Sequence, residues 1–247
     1  MTRAENPEDE LSTGEGRISL RVKLPAEDGT AVIEMTGPAV PENGLQAFGD
    51  WVLAALEQHA DGSAVAARRM IAALREGDWE GDDVLADQLD ALLRSGAMPD
   101  LRPLPVDLDE LSGIFEGDPM YGGGRVGLAT GEVWPAPAVD YAREIGPEDE
   151  DESDDPDKWL WVHCEGSRDG YRDMELFIGT VRDPGRAGRL EIAISGRGAF
   201  RRFKDVLARR PGELDRWYTF SAERQRGQAR AWLADAGYYV RKGLPPS

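Results

Sequence analysis

The residue types best suited to chemistry lie in ISGRGAFRRFKDVLARR, residues 194–210. Gly196 and Gly198 bracket Arg197, and a helix is expected to begin at Gly198. A helix start carries unsatisfied N–H groups and a partial positive charge, so it attracts anions. Arg197, Gly198, Arg201, Arg202 and Arg209 form the candidate anion-binding set. A phosphate-bearing ligand, a nucleic-acid backbone or an acidic protein would suit it. The same stretch has a purely structural reading. On a helical wheel, Phe200, Phe203, Val206 and Leu207 share one face, while Arg201, Arg202, Asp205 and Arg209 share the other. Asp205 is spaced to pair with both Arg201 and Arg209, at ~0.2–0.5 kcal/mol per pair. On that reading the phenylalanines build a core and the charges form a salt-laced surface. Both readings stay open.

Other motifs are weaker. GGGRVG (Gly122 to Gly127) has the spacing of a dinucleotide-binding loop, but that loop needs a helix after it, and the pattern here continues as a strand. Asp149, Asp151, Ser153 and Asp155 alternate as calcium ligands do. The loop glycine is replaced by Asp154, however, and the closing Glu by Leu160, so a solvated acidic linker is the better reading. His163 and Cys164 are neighbours in sequence and point to opposite faces of a strand, whereas a catalytic Cys–His pair converges from distant positions. No P-loop, nucleophile elbow or zinc-protease motif is present. The sequence therefore names no catalytic residue, metal site or cofactor. An enzyme acting on a phosphorylated substrate at the glycine–arginine turn would have to draw on Glu191, Asp205, His163, Tyr218 or Glu223.

Charge sets the frame for these residues. The whole chain carries −18 over 247 residues. From Gly196 to Ser247 twelve Lys/Arg stand against five Asp/Glu, a net of +7, which leaves −25 for the first 195 residues. Overall acidity opposes non-specific adhesion to nucleic acid and anionic lipid. No apolar run approaches the ~18 residues of a membrane span. Residues 1–16 are acidic without an apolar centre, which predicts a disordered tail and no signal peptide. Cys164 is the only cysteine, so no internal disulfide can form, and a cytoplasmic location is expected.

The elements that must position these residues follow from periodicity. Residues 17–100 predict a hairpin-plus-helices module. Ile18 to Leu24 and Ala31 to Met35 are its strands, joined at Asp28-Gly29. Three helices follow, with inward faces at Phe48/Val52/Ala55/Leu56/His59, at Ala67/Met70/Ile71/Leu74 and at Leu85/Leu89/Leu92. Ser63 is a candidate cap for the second and Asp82 or Asp83 for the third, with Gly96 as the stop. MPDLRPLPVD reads as a connector. Residues 104–147 hold a middle hairpin turning at Thr130-Gly131, and residues 148–157 form an acidic linker. Trp159, Trp161 and Val162 then resume order as buried anchors. The rest of 158–247 is a helical bundle, with Met174/Phe177/Ile178/Val181 as one stripe and a last helix from about Ser221 to Gly237. Asp183-Pro184 opens a segment that its apolar spacing leaves open between helix and strand. The fold class is α+β.

GRGAFRRFKDVL (Gly196 to Leu207), followed by RWYTFSAERQRGQARAWLADAG (Arg216 to Gly237), resembles a family of bacterial cytosolic proteins catalogued only as uncharacterised. The resemblance covers about residues 105–240 and includes RDMELFI and ATGEV upstream. It implies that 183–195 is helix, and it brings no activity, cofactor or catalytic residue. The N-terminal hundred residues fall outside it and look like an added module. The function these observations favour is a non-enzymatic binding or regulatory protein docking an anionic partner through the basic helix start. The alternatives are a small-molecule enzyme at the same site or a box that serves the fold alone. The acidic linker is a candidate mask for the basic face.

Overall fold

The apolar stripes of the N-terminal segment fold back on one another as three helices. The computed structural model describes Ile33 and residues 40–41, 43–94, 98, 100–115, 122–145, 155–164 and 166–241. Helices α1 (Leu45–Glu57), α2 (Ser63–Gly77) and α3 (Asp82–Arg94) bury the expected Phe48, Val52, Ala55, Ala67, Met70, Ile71, Leu74, Leu85 and Leu89 in one cluster. Two details differ. Gly62, with φ of 82°, takes the cap position, and Ser63 is the first helical residue. His59 lies past the end of α1 with φ of 55° and is exposed rather than on the apolar face. The N-terminal hairpin lies outside the described residues except for Ile33. That residue is helical and packs into this cluster, so the second expected strand does not run through it.

The supposed connector contains a strand. Residues Arg102–Leu104 (β1) pair in parallel with β5 (Tyr238–Val240). The partner is more than 130 residues away, and Pro103 fits because this pair is an edge. After α4 (Leu108–Phe115), the middle hairpin forms as expected from β2 (Gly124–Gly127) and β3 (Val133–Pro135). Its free edge takes β4 (Trp159–Val162), giving an antiparallel sheet in the order β3–β2–β4. The glycine run thus feeds a strand, which removes the helix a dinucleotide loop requires. Helix α5 (Ala136–Ile145) follows β3. Of the three expected anchors, Val162 is buried and Trp159 packs over the Arg125 guanidinium at 3.8 Å, while Trp161 is exposed. Strand alternation puts Trp159 and Trp161 together on the face opposite Val162, and there Arg125 covers Trp159.

The C-terminal part is helical: α6 (Ser167–Gly179), α7 (Pro184–Ile194), α8 (Ala199–Leu207) and α9 (Glu213–Asp235). The helix implied over 183–195 is present, with the Asp183 carboxylate accepting from the Arg186 N–H at 2.9 Å and Pro184 at the first helical position. Met174, Phe177, Leu190, Phe203, Leu207 and Trp217 form the apolar core of this part. Phe203 and Phe177 meet the Trp217 ring edge-on at 4.9 and 5.3 Å.

Helix α9 starts eight residues before the position expected from the sequence, because Pro211-Gly212 ends α8 and the next helix begins at once. Its 23 residues serve every layer. Trp217 joins the α6–α8 core, and Ala229 and Leu233 join a middle core with Leu104, Leu111, Val126, Val162 and Val240. Gly227 presses its backbone against the Glu80 carbonyl in the turn before α3. A Cβ at 227 would collide with that carbonyl, a rigid main-chain atom. Gly227→Ala is therefore expected to cost about 1–3 kcal/mol of unfolding free energy, as overpacking does. Urea denaturation of the intact chain checks this, and an unchanged midpoint would refute the close approach.

Candidate functional site

The turn between α7 and α8 is built from carbonyls and one guanidinium. Gly196 and Gly198 both take left-handed backbone, with φ of 80° and 74°. They turn several main-chain oxygens to one side, where no backbone N–H of the described residues meets them. Arg202 does. Its Nε donates to the Ala193 carbonyl at 3.0 Å, and its Nη2 donates to Ser195 at 2.6 Å and Gly196 at 3.3 Å. Its Nη1 donates to the Arg197 carbonyl. A cation placed there also suits the partial negative charge at the end of α7. The planar fork is the feature used, and lysine could not reproduce it. Arg202, expected to point outward with the other arginines, is thus committed to the turn.

The other members of the set sit differently. Arg197 is exposed on the turn itself. Arg201 is also exposed, with Asp205 4.0 Å from its Nε. Gly198 caps α8 from left-handed backbone, and no side chain caps the first turn. Arg209 is exposed beyond the far end of α8, roughly 12 Å along the axis from Arg201 at 1.5 Å per residue. The outward arginines therefore form a stripe with Asp205 inside it, rather than one fork. Residues 148–154 of the acidic linker lie outside the described residues, and with them the masking contact.

Much of the remaining C-terminal basicity faces inward. Arg230 is fully buried on α9. It donates from Nη2 to Asp50 at 2.5 Å, from Nε to Gln46 at 2.8 Å and from Nη1 to Gln88 at 3.4 Å. Arg226 spans Asp50 at 3.0 Å and Asp109 at 2.6 Å. Burial works against its charge, but Asp109 and Asp50 outweigh that cost and hold its pKa above the ordinary arginine value. Arg224 pairs with the buried Asp173 at 3.1 Å. Desolvation raises the Asp173 pKa, and Arg224 only partly offsets it. The same helix carries Glu223, whose carboxylate accepts from the backbone N–H of Gln46 in the first turn of α1. That start has Gly44 at its cap position and no side-chain cap of its own. Burial pushes the Glu223 carboxyl up to about 7, against the lowering effect of the Gln46 N–H and with the help of nearby Asp82. Sequence reasoning missed this network, since nothing local marks an arginine as buried.

The five residues offered for acid–base work do not share a site. Glu191, Asp205, Tyr218 and His163 are exposed on different elements, and Glu223 is occupied at α1. Among the described residues no group of three His, Cys, Asp or Glu is placed to hold a metal ion. A cavity of about 400 Å³ opens beside α8, lined by Phe200 and Lys204 with residues of α4, α6 and α9. Phe200, expected in the core, is 37% exposed on its wall. None of the five lines it.

Fold and site define a mixed α+β protein whose C-terminal helical part is assembled around an arginine-stapled turn and an arginine-rich last helix. Residues 144–245 match the model of UPF0158, an uncharacterised protein family. The chain is also 29% identical over 141 residues to a UPF0158 protein of Pseudomonas aeruginosa, across 55% of this chain and 85% of that one. Both matches are to the same uncharacterised family. No solved structure matches the chain. Among the described residues no helix is long and apolar enough to cross a membrane.

Two outcomes follow from the geometry. Arg202→Ala is expected to lower unfolding free energy by about 1–3 kcal/mol, the cost of stranding its carbonyl partners. Arg201→Ala is expected to stay within about 0.5 kcal/mol. Chemical denaturation of both variants checks the contrast. Because the folded-state pKa of Glu223 is raised from 4.5 to about 7, its contribution is fully present below pH 4.5. It is lost as pH climbs through about 7. Glu223→Gln is expected to remove that loss of stability across the window, read from denaturation midpoints at a series of pH values.

Proposed function

We propose that this chain is a non-enzymatic binding protein that docks an anionic partner on the arginine stripe of the α7–α8 turn and α8. Arg197, Arg201 and Arg209 make the contacts, Gly198 shapes the turn, and Arg202 fixes it. The observation that carries this reading is the contrast between Arg202 and the others. One arginine satisfies the turn, while the three outward ones are exposed and have no close carboxylate partner among the described residues beyond Asp205 at 4.0 Å from Arg201. A pre-formed turn presents charged groups at a low ordering cost on binding.

The net charge of −18 weighs against a long polyanion such as nucleic acid and favours a compact acidic protein segment or a phosphate-bearing group. The dispersal of Glu191, Asp205, His163, Tyr218 and Glu223 supports binding over catalysis at this turn. Fluorescence anisotropy with a labelled oligoglutamate peptide and with a labelled single-stranded oligonucleotide tests the proposal. The peptide is expected to bind more tightly than the oligonucleotide and to be released by salt. The triple variant Arg197→Glu, Arg201→Glu, Arg209→Glu is expected to weaken it by about tenfold or more. Equal binding by the parent chain and the variant, or no binding by the parent, would overturn the reading.

A further inference from the structure

The cavity beside α8 has four walls, each a pair of residues one helical turn apart. Ser112 and Phe115 come from α4, Asp169 and Asp173 from α6, Phe200 and Lys204 from α8, and Gln225 and Gln228 from α9. Its volume of about 400 Å³ lies in the range of small-molecule sites. Two features of its lining point to a ligand.

The first is aromatic surface left open. Phe200 stands beside the buried face of α8 and stays 37% exposed, against Gly170 on the opposite wall. A Cβ at position 170 would stand 3.0 Å from the Phe200 ring, so the glycine keeps room for the ring at the cavity edge. Phe115 supplies a second ring, held edge-on by Trp232 at 5.7 Å. The second feature is charge. Asp173 is nine-tenths buried or more and spends Oδ1 on Arg224. Asp169, one turn earlier, has no hydrogen bond or ion pair among the described residues and adds to the negative potential felt by Asp173. The cation on the rim, Lys204, directs its Nζ over the Tyr218 ring, 5.6 Å from the centroid, rather than to either aspartate. An aromatic-walled hollow with an unspent carboxylate is complementary to a cation on an apolar body: the rings offer apolar surface and Asp169 offers the counter-charge.

We propose that this cavity binds a small organic cation, an ammonium group carried on an apolar or aromatic body, with Asp169 pairing the charge and Phe115 and Phe200 enclosing the body. The site is separate from the outward arginine stripe. Helix α8 serves both, because Phe200 and Lys204 occupy the side of the helix between its buried face and its arginine face.

Ligand-observed NMR of the intact chain with phenethylammonium, and with phenylacetate as a probe of similar body and opposite charge, tests this. Phenethylammonium is expected to bind at one site with a dissociation constant of about 1 mM or tighter, the range of a ligand this small. Phenylacetate is expected to bind at least about tenfold more weakly. Asp169→Asn retains the shape of the side chain and is expected to weaken phenethylammonium by about tenfold. Phe200→Ala, at a half-exposed position that the core does not need, provides a second variant and is expected to weaken it as well. Equal or tighter binding of phenylacetate would overturn the proposal. So would an affinity unchanged in both folded variants, or no binding of phenethylammonium.

Discussion

The structure depends on one buried guanidinium. Arg230 has no exposed side-chain surface, and its partners Asp50, Gln46 and Gln88 come from α1 and α3. A buried charge is tolerated only when a counter-charge and further hydrogen bonds meet it together, because desolvation alone would cost several kcal/mol. That requirement fixes α1 and α3 in register against α9. Arg226 extends the same ladder to Asp109 on α4, and Arg224 extends it to Asp173 on α6. The last helix is thus the part against which the other layers are set, and its arginines act as positional keys more than as surface charge.

This arrangement accounts for the uneven charge of the chain. The basic C-terminal segment and the acidic remainder look like opposed patches in sequence, yet a large share of the opposition is met inside the fold. Arg224, Arg226 and Arg230 are matched to carboxylates of earlier elements, Arg241 reaches Glu57, and Arg202 is spent on carbonyls. What is left outward on α8 and its turn is a narrow stripe, not a broad basic face. The first three helices are described by the same logic. They lie outside the matched family region, but Gln46, Asp50 and Gln88 tie them to α9. In the folded chain they do not hang free as an appended module.

Several features were legible in the sequence because their causes are local. The apolar spacing of α1 to α3, the Asp183-Pro184 start of α7, the turn at Thr130-Gly131 and the Phe203/Leu207 face of α8 each follow from neighbours within one or two turns. What stayed hidden depends on residues far apart in the chain. The β1–β5 pair joins positions separated by more than 130 residues, and nothing in RPL distinguishes it from a connector. Arg202 and Arg201 are adjacent and chemically identical. Only the direction of carbonyls in a double left-handed turn decides that one is structural and the other outward. The helical spacing of Phe200 predicts a core position. Gly170, on a different helix, leaves it at a cavity edge instead. The burial of Arg230 and the raised Glu223 carboxyl likewise arise from the meeting of helices, and periodicity carries no trace of either.

The parallel pairing of β1 with β5 has a topological consequence. Chain leaves the neighbourhood of Leu104 and, after α4 to α9, comes back beside it at Val240. Everything between is a closed circuit whose two ends are clasped side by side. Lengthening or trimming a surface loop inside that circuit leaves the clasp where it is. The circuit encloses the arginine-stapled turn and nearly all of the family-matched region, while α1 to α3 attach from outside it. The N-terminal helices are held to that circuit by the last helix, through Asp50, Gln46, Gln88 and the Glu80 turn.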